Sequence, residues 1–470
     1  MNKNRILAVF LVLLLSGDFI FSFVQYYNTP LFGDITISAW PDEHVQNLLD
    51  DPFGFQIIKT GEKQFNPNRY FSHLFLNEYF RNVPIFLQKF VIPVSSVYLA
   101  SALIKITIQI IFLFIMASFI TGDKLFGRKF LICAIIIAPL FQVYGYWSRM
   151  GIIDKSIAYT FFYAMPMIIL MFYYLPVFRL IQNKVKIKKI YYLLLIPLIV
   201  ILPFTGPLNP PVIILISFFI FLDYWIYSKT KRIMTFMKAI PISVYILTIP
   251  ISLLSLYSLY LGFYDSSFTS EAIPITERFS KLPEGIVSQL FHSPGYPLML
   301  AIIGINMYII KKNNYAGNKI LKRTLIWIGI FTLVYISLLP FGGYRPYRAR
   351  IIRYDTLIPV NIALYYFFGA STYLIFNKLK WEKRKTYLPA IIVYLLFLTI
   401  VDLDGIGENR CERNAFNKMA ESTDNIVAIP KDCFVLDWHN VFNYRLTENK
   451  AELIHYWNIT DKTKLFYNEP

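Results

Sequence analysis

Val97-Tyr-Leu-Ala-Ser-Ala-Leu-Ile-Lys-Ile-Thr-Ile-Gln-Ile-Ile-Phe-Leu-Phe-Ile-Met-Ala-Ser-Phe-Ile120 carries a single charge, Lys105. At about 1.5 Å of rise per residue, a helix of this length crosses the ~30 Å hydrocarbon layer of a bilayer. Lys124, Arg128 and Lys129 follow closely. Short basic loops mark the cytoplasmic side, so the run leads inward. With one direction fixed, the other spans follow by alternation.

Upstream, Met1-Asn-Lys-Asn-Arg5 precedes the apolar run Ile6–Val24, and no small-residue cleavage site follows it. The run reads as an uncleaved first span with a cytoplasmic N-terminus, and residues 25–94 as a long external loop. Downstream, apolar runs start near Leu131, Ile157, Tyr191, Val212, Ala239, Tyr296, Leu325, Leu357 and Leu388. Basic clusters around Lys186, Lys231, Lys312 and Lys383 fall on every second loop. The expectation is an all-α membrane protein of about eleven spans. Residues 1–401 form its membrane domain, and 402–470 a small external tail, α/β or irregular.

Composition agrees. Of 470 residues, 56% are hydrophobic and only 16% charged, against about a quarter in soluble domains. The net charge of +17 lies in short inner loops as topology requires, so it does not call for a nucleic-acid partner. The three Cys and five His show no metal-ligand spacing. Cys411 and Cys433 share the tail, where an external compartment permits a disulfide.

One loop defies the charge rule. Phe341-Gly-Gly-Tyr-Arg-Pro-Tyr-Arg-Ala-Arg-Ile-Ile-Arg-Tyr-Asp-Thr356 falls outside, yet holds Arg345, Arg348, Arg350 and Arg353. Guanidinium forks match phosphate oxygens, and Tyr344 and Tyr347 can stack on a sugar. The same loop could instead grip anionic lipid headgroups. Arg149 and Lys155 form a second external basic pair, able to neutralise phosphate or to anchor the surface. Among acids, Asp42 and Glu43 are adjacent in the first external loop, Asp34 lies nearer the membrane, and Asp154 is in the next external loop. A carboxylate at the membrane surface can act as general base toward a hydroxyl or hold a divalent cation. Asp18 and Lys105 are ionisable groups inside spans, and an ion pair between them is the expected resolution.

The order of these parts resembles the GT-C class of membrane glycosyltransferases, in particular the protein mannosyltransferase and aminoarabinose transferase group. Trp40-Pro-Asp-Glu-His44 looks like that class's acidic pair, Tyr70–Phe90 like its juxtamembrane amphipathic helix, and Asp154 like its second acid. The Lys-Pro-Pro-like segment of the class is absent, and Asn66-Pro-Asn-Arg69 stands roughly in its place. The resemblance implies a multi-pass protein of the inner, cytoplasmic membrane that takes a sugar from a polyprenyl-phosphate donor in the bilayer. Asp42 or Glu43 would then be the base, and the arginine loop would hold the departing phosphate. Two other readings stand beside it: a polymerase or ligase, which also relies on external arginines and acts on pyrophosphate-linked glycans, and a transporter of lipid-linked saccharides, which calls for a basic central cavity and paired repeats.

Overall fold

The computed structural model describes residues 3–31, 33–142, 150–183, 185–226, 237–267, 273–315, 317–342, 350–401 and 405–470. Every apolar run named above is helical in it. Eight helices are long and apolar enough to cross a membrane: Arg5–Tyr27, Pro93–Thr121, Ile157–Ile181, Asn209–Ile226, Ile242–Gly262, Lys319–Gly342, Asp355–Lys378 and Glu382–Val401. A ninth forms if Ile275–Phe291 and Gly295–Lys312, bent by 79°, count as one span. The bend falls at Pro294 and Gly295, where the ring blocks helical continuation. Among the described residues the third and fifth runs form only short helices. The third is α-helical over Arg128–Ile137 and tightens into a 3₁₀ turn at Ala138–Gln142. The fifth ends in a 3₁₀ turn at Leu202–Phe204. With almost no strand, the chain is an all-α, multi-pass membrane protein.

Burial ranks the helices. The best window of Asp355–Lys378 is 67% buried and that of Lys319–Gly342 only 11%, so the former is central and the latter peripheral. Leu13, Leu193, Leu253, Leu333 and Val393 are all more than half exposed, which in water would be untenable and in lipid is the favoured state. Close approach is set by Gly369, where an added Cβ would lie 2.7 Å from both Ile120 Cδ1 and Ile137 Cγ2. Polar pairs lock the seams. Tyr26 donates to Gln109 at 2.5 Å, and Gln109 to Ser22 at 3.0 Å. Asn306 donates to Ser371 and Thr372 and accepts from Tyr387. Such bonds add about 0.6 kcal/mol each between spans.

Lys105 does not resolve as expected. Its ammonium lies 5.7 Å from the Tyr26 ring and donates to the Lys155 carbonyl at 2.6 Å. Its charged neighbours are Asp154, Lys155 and Glu408, not Asp18. Asp18 lies eight residues before Tyr26, or about 12 Å lower on the same helix. The helix Pro93–Thr121 begins above its apolar part, since Tyr98 already meets the tail residue Glu412. Counting depth from hydropathy boundaries therefore set Lys105 too low.

The first loop is built rather than open. It folds into α1 (Ile35–Ala39), α2 (Glu43–Asp50), α3 (Phe55–Thr60) and α4 (Tyr70–Leu87). His73, Leu76, Asn77, Phe80, Pro84 and Leu87 bury one face of α4 against the protein, the three-and-four spacing of an amphipathic helix. The tail holds Arg410–Glu421, a parallel two-strand pair of Ile426–Ile429 with Leu465–Asn468, and Glu448–Tyr456. Cys411 and Cys433 are bonded, with Cα atoms 5.8 Å apart.

The described parts of the loops expected outside gather at one end of the bundle. The tail caps the first helix through Asn409 Nδ2 to the Tyr27 carbonyl, 2.8 Å. Glu412 accepts from the Leu31 amide at 2.7 Å and the Tyr98 hydroxyl at 2.8 Å. Trp457 donates to the Phe80 carbonyl at 2.9 Å. Ser72 bonds the carbonyls of Phe161 and Thr205, and Gln64 pairs with Tyr264 and Ser266.

Candidate functional site

Asp34 precedes α1 at its N-cap position, but makes no capping bond. Its Oδ1 instead accepts from the indole Nε1 of Trp438, 3.2 Å away, in the tail. The Trp438 ring leans on Tyr159, centroids 5.7 Å apart, and Tyr159 on Tyr163 at 5.4 Å. Arg353 bonds both tyrosines and is paired with Asp355. Burial works against its charge, but Asp355 and the tyrosines outweigh that and hold the guanidinium firmly protonated.

Asp154 lies behind this row, 5% exposed. Its Oδ1 accepts from the Ser156 amide at 2.7 Å, and Tyr354 bonds it as well. Burial pushes the Asp154 carboxyl up to about 6, against the pull of the Ser156 amide, Lys105 and Tyr354. Asp154 and Asp355 thus each face a cation, Lys105 and Arg353 respectively. Ser156 Oγ and Thr36 Oγ1 are buried without a hydrogen-bond partner. Beneath α1, His73 contacts Ser38 at 3.0 Å. Burial and then Arg69 push its imidazole down to about 3, so it stays neutral.

The expected residues divide. Asp34, Asp154 and Arg353 come together through the contacts above. Asp42 caps α2, its Oδ1 accepting from the Val45 amide at 2.9 Å, and Glu43 is exposed. Among the described residues neither shares a hydrogen bond or ion pair with the cluster. Lys155 reaches Glu408 of the tail at 2.6 Å, and Arg350 reaches Glu284 at 3.1 Å and Ser288. Arg149, Tyr344, Arg345, Tyr347 and Arg348 lie outside the described residues. Among the described residues no three His, Cys, Asp or Glu side chains are grouped as metal ligands. Of the acids that do meet, Asp154 faces Lys105 and Asp355 faces Arg353, while Asp34 accepts from the Trp438 indole.

Below the cluster runs an apolar cavity of about 650 Å³ between the helices of residues 157–181, 209–226, 319–342 and 355–378. Met167, Phe331 and Pro359 line its outer part. Met167 is one turn below Tyr163. Phe331 stacks under Tyr335 at 5.6 Å, whose hydroxyl donates to the Thr356 carbonyl. Met167 and Phe331 thus lie about one helical turn from Tyr163 and Tyr335, and Arg353 is not part of the lining. At its inner end Asp223 pairs with Arg323 and accepts from Trp327 at 2.8 Å. Met167 to Ile181 measures about 21 Å along one helix.

Tyr159, Tyr163 and Trp438 escaped the sequence reading. The two tyrosines, four apart at the outer end of an apolar run, were visible as a pair on one helix face. Trp438 had no local signal. No protein-family model matches the chain, and neither does any curated protein or solved structure.

Proposed function

We propose that the protein is a membrane glycosyltransferase of the GT-C type that takes its sugar from a polyprenyl-phosphate donor. One arrangement carries this reading: an apolar cavity whose lining residues Met167 and Phe331 lie one helical turn from Tyr163 and Tyr335, next to the cluster of Arg353, Tyr159, Tyr163, Asp34 and Asp355. Such a shape suits a ligand with a long apolar chain and a compact anionic, hydroxylated head. The chain would lie in the groove between Met167 and Phe331. Arg353 would meet the phosphate and stabilise the charge that develops as the sugar leaves. Tyr159 and Tyr163 offer faces and hydroxyls to the sugar. Asp34, half-buried and free of a capping duty, would take the acceptor's proton. Asp42, whose carboxylate satisfies a helix amide, is the second choice.

In this reading the chain makes eleven passes, eight long and three short or broken. Its N-terminus is cytoplasmic and its site faces outward from the cytoplasmic membrane, supported by the gathering of the described parts of the expected outer loops at one end.

The test uses purified protein in lipid, with binding of a polyprenyl-phosphate sugar and its transfer followed separately. Asp34→Asn should remove transfer and leave binding within about twofold, because the base acts in the transition state. Arg353→Ala should weaken both. Full transfer by Asp34→Asn moves the role to Asp42 or Asp154. Full transfer by variants of all four acids replaces this reading with the polymerase or transporter.

A further inference from the structure

Trp438 of the tail donates to Asp34 across 404 residues of sequence. An aspartate at an N-cap ordinarily accepts from an amide one turn on, worth about 1 kcal/mol. Asp34 forgoes this bond and spends Oδ1 on the indole instead. The backbone is shaped for that contact. Gly33 has φ +94°, and a Cβ there would lie 2.4 and 2.7 Å from indole carbons and 3.0 Å from Ser156 Oγ. Only glycine permits both the conformation and the approach.

The indole is itself held. Asp437 accepts from the Trp438 amide at 2.6 Å and from Lys450 at 2.5 Å. The preceding Leu436 amide donates to Glu412 at 3.2 Å, on the same carboxylate that receives Leu31 and Tyr98. Tyr159 backs the other side of the ring.

We infer that Trp438 is a positioning residue, which fixes Asp34 by one oxygen so that the other points at the acceptor hydroxyl. The C-terminal unit is then part of the site rather than an appendage to it. This rests on Asp34 being the base.

Trp438→Phe keeps an aromatic side chain against Tyr159 but removes the pyrrole ring with its N–H. The expected result is a 10- to 100-fold fall in kcat, roughly the loss of one bond to a charged group, with donor KM unchanged within about twofold. Gly33→Ala, which drives the ring away, should give the same split. In an Asp34→Asn background, Trp438→Phe should have no further effect on the residual rate. Equal losses in kcat and KM, or the same loss in both backgrounds, would make Trp438 a structural prop and overturn the inference. A wild-type rate for Trp438→Phe beside an inactive Asp34→Asn overturns it too, while leaving the proposed chemistry standing. An active Asp34→Asn instead defeats the base assignment itself and takes the inference with it.

Discussion

At the residue scale the energetics concentrate in buried charges. Lys105 is fully buried and faces Asp154. Lys105→Met should destabilise the protein by about 3–5 kcal/mol, because Asp154 is left uncompensated. Adding Asp154→Asn should restore much of that loss. Thermal unfolding in detergent reads both, and a double variant no better than the single would refute the pairing. Glu412 gives a second, pH-dependent effect. Burial pushes its carboxyl from 4.5 to about 7, against the pull of Leu31, Tyr98, Leu436 and Arg413. A raised acid favours the proton-bound folded state, so its contribution is full below about 4.5 and lost as pH rises through 7. The tail should therefore resist protease better at pH 5.5 than at pH 8, and Glu412→Gln should flatten that difference. A slope unchanged in the variant would assign it to other groups.

At the element scale the groove can be tested apart from the head site. Ile362 lines it, and Ile362→Trp should fill it. Binding of the full lipid donor should fall by more than about tenfold, while a water-soluble phosphosugar lacking the chain should bind as before. Equal effects on both ligands would mean the groove only supports the fold. Elements were the most legible part of the sequence, because hydropathy acts locally: each apolar run became a helix. Lengths were less legible: residues 275–291, ahead of the run that starts near Tyr296, are helical too, up to the bend at Pro294. The site was legible only in pieces. Asp42-Glu43 is the stronger local pattern, yet an aspartate just ahead of a helix is also an N-cap signature, and Asp42 is spent on that cap. Asp34, Asp154 and Arg353 were each visible, but what joins them, Tyr159, Tyr163 and Trp438, depends on packing between distant segments.

At the scale of the whole molecule the outer loops and the tail form one layer on the bundle. Reporter fusions at Lys186, Lys312 and Lys383 should report cytoplasm, and fusions after Val401 the opposite side. A cytoplasmic signal after Val401 would contradict that layer. The layer also joins the two extremes of the chain: Asn409 and Glu412 grip Tyr27 and Leu31, and Trp438 reaches Asp34. Its consequence is one of timing. A ribosome makes Asp34 404 residues before Trp438, and in the proposed topology the tail must also cross the membrane and close its Cys411–Cys433 bond. Until then the carboxylate has no indole to hold it, so on the proposed chemistry a chain still being inserted turns over at least about 10- to 100-fold more slowly. Truncation before the tail should cost at least as much turnover as Trp438→Phe.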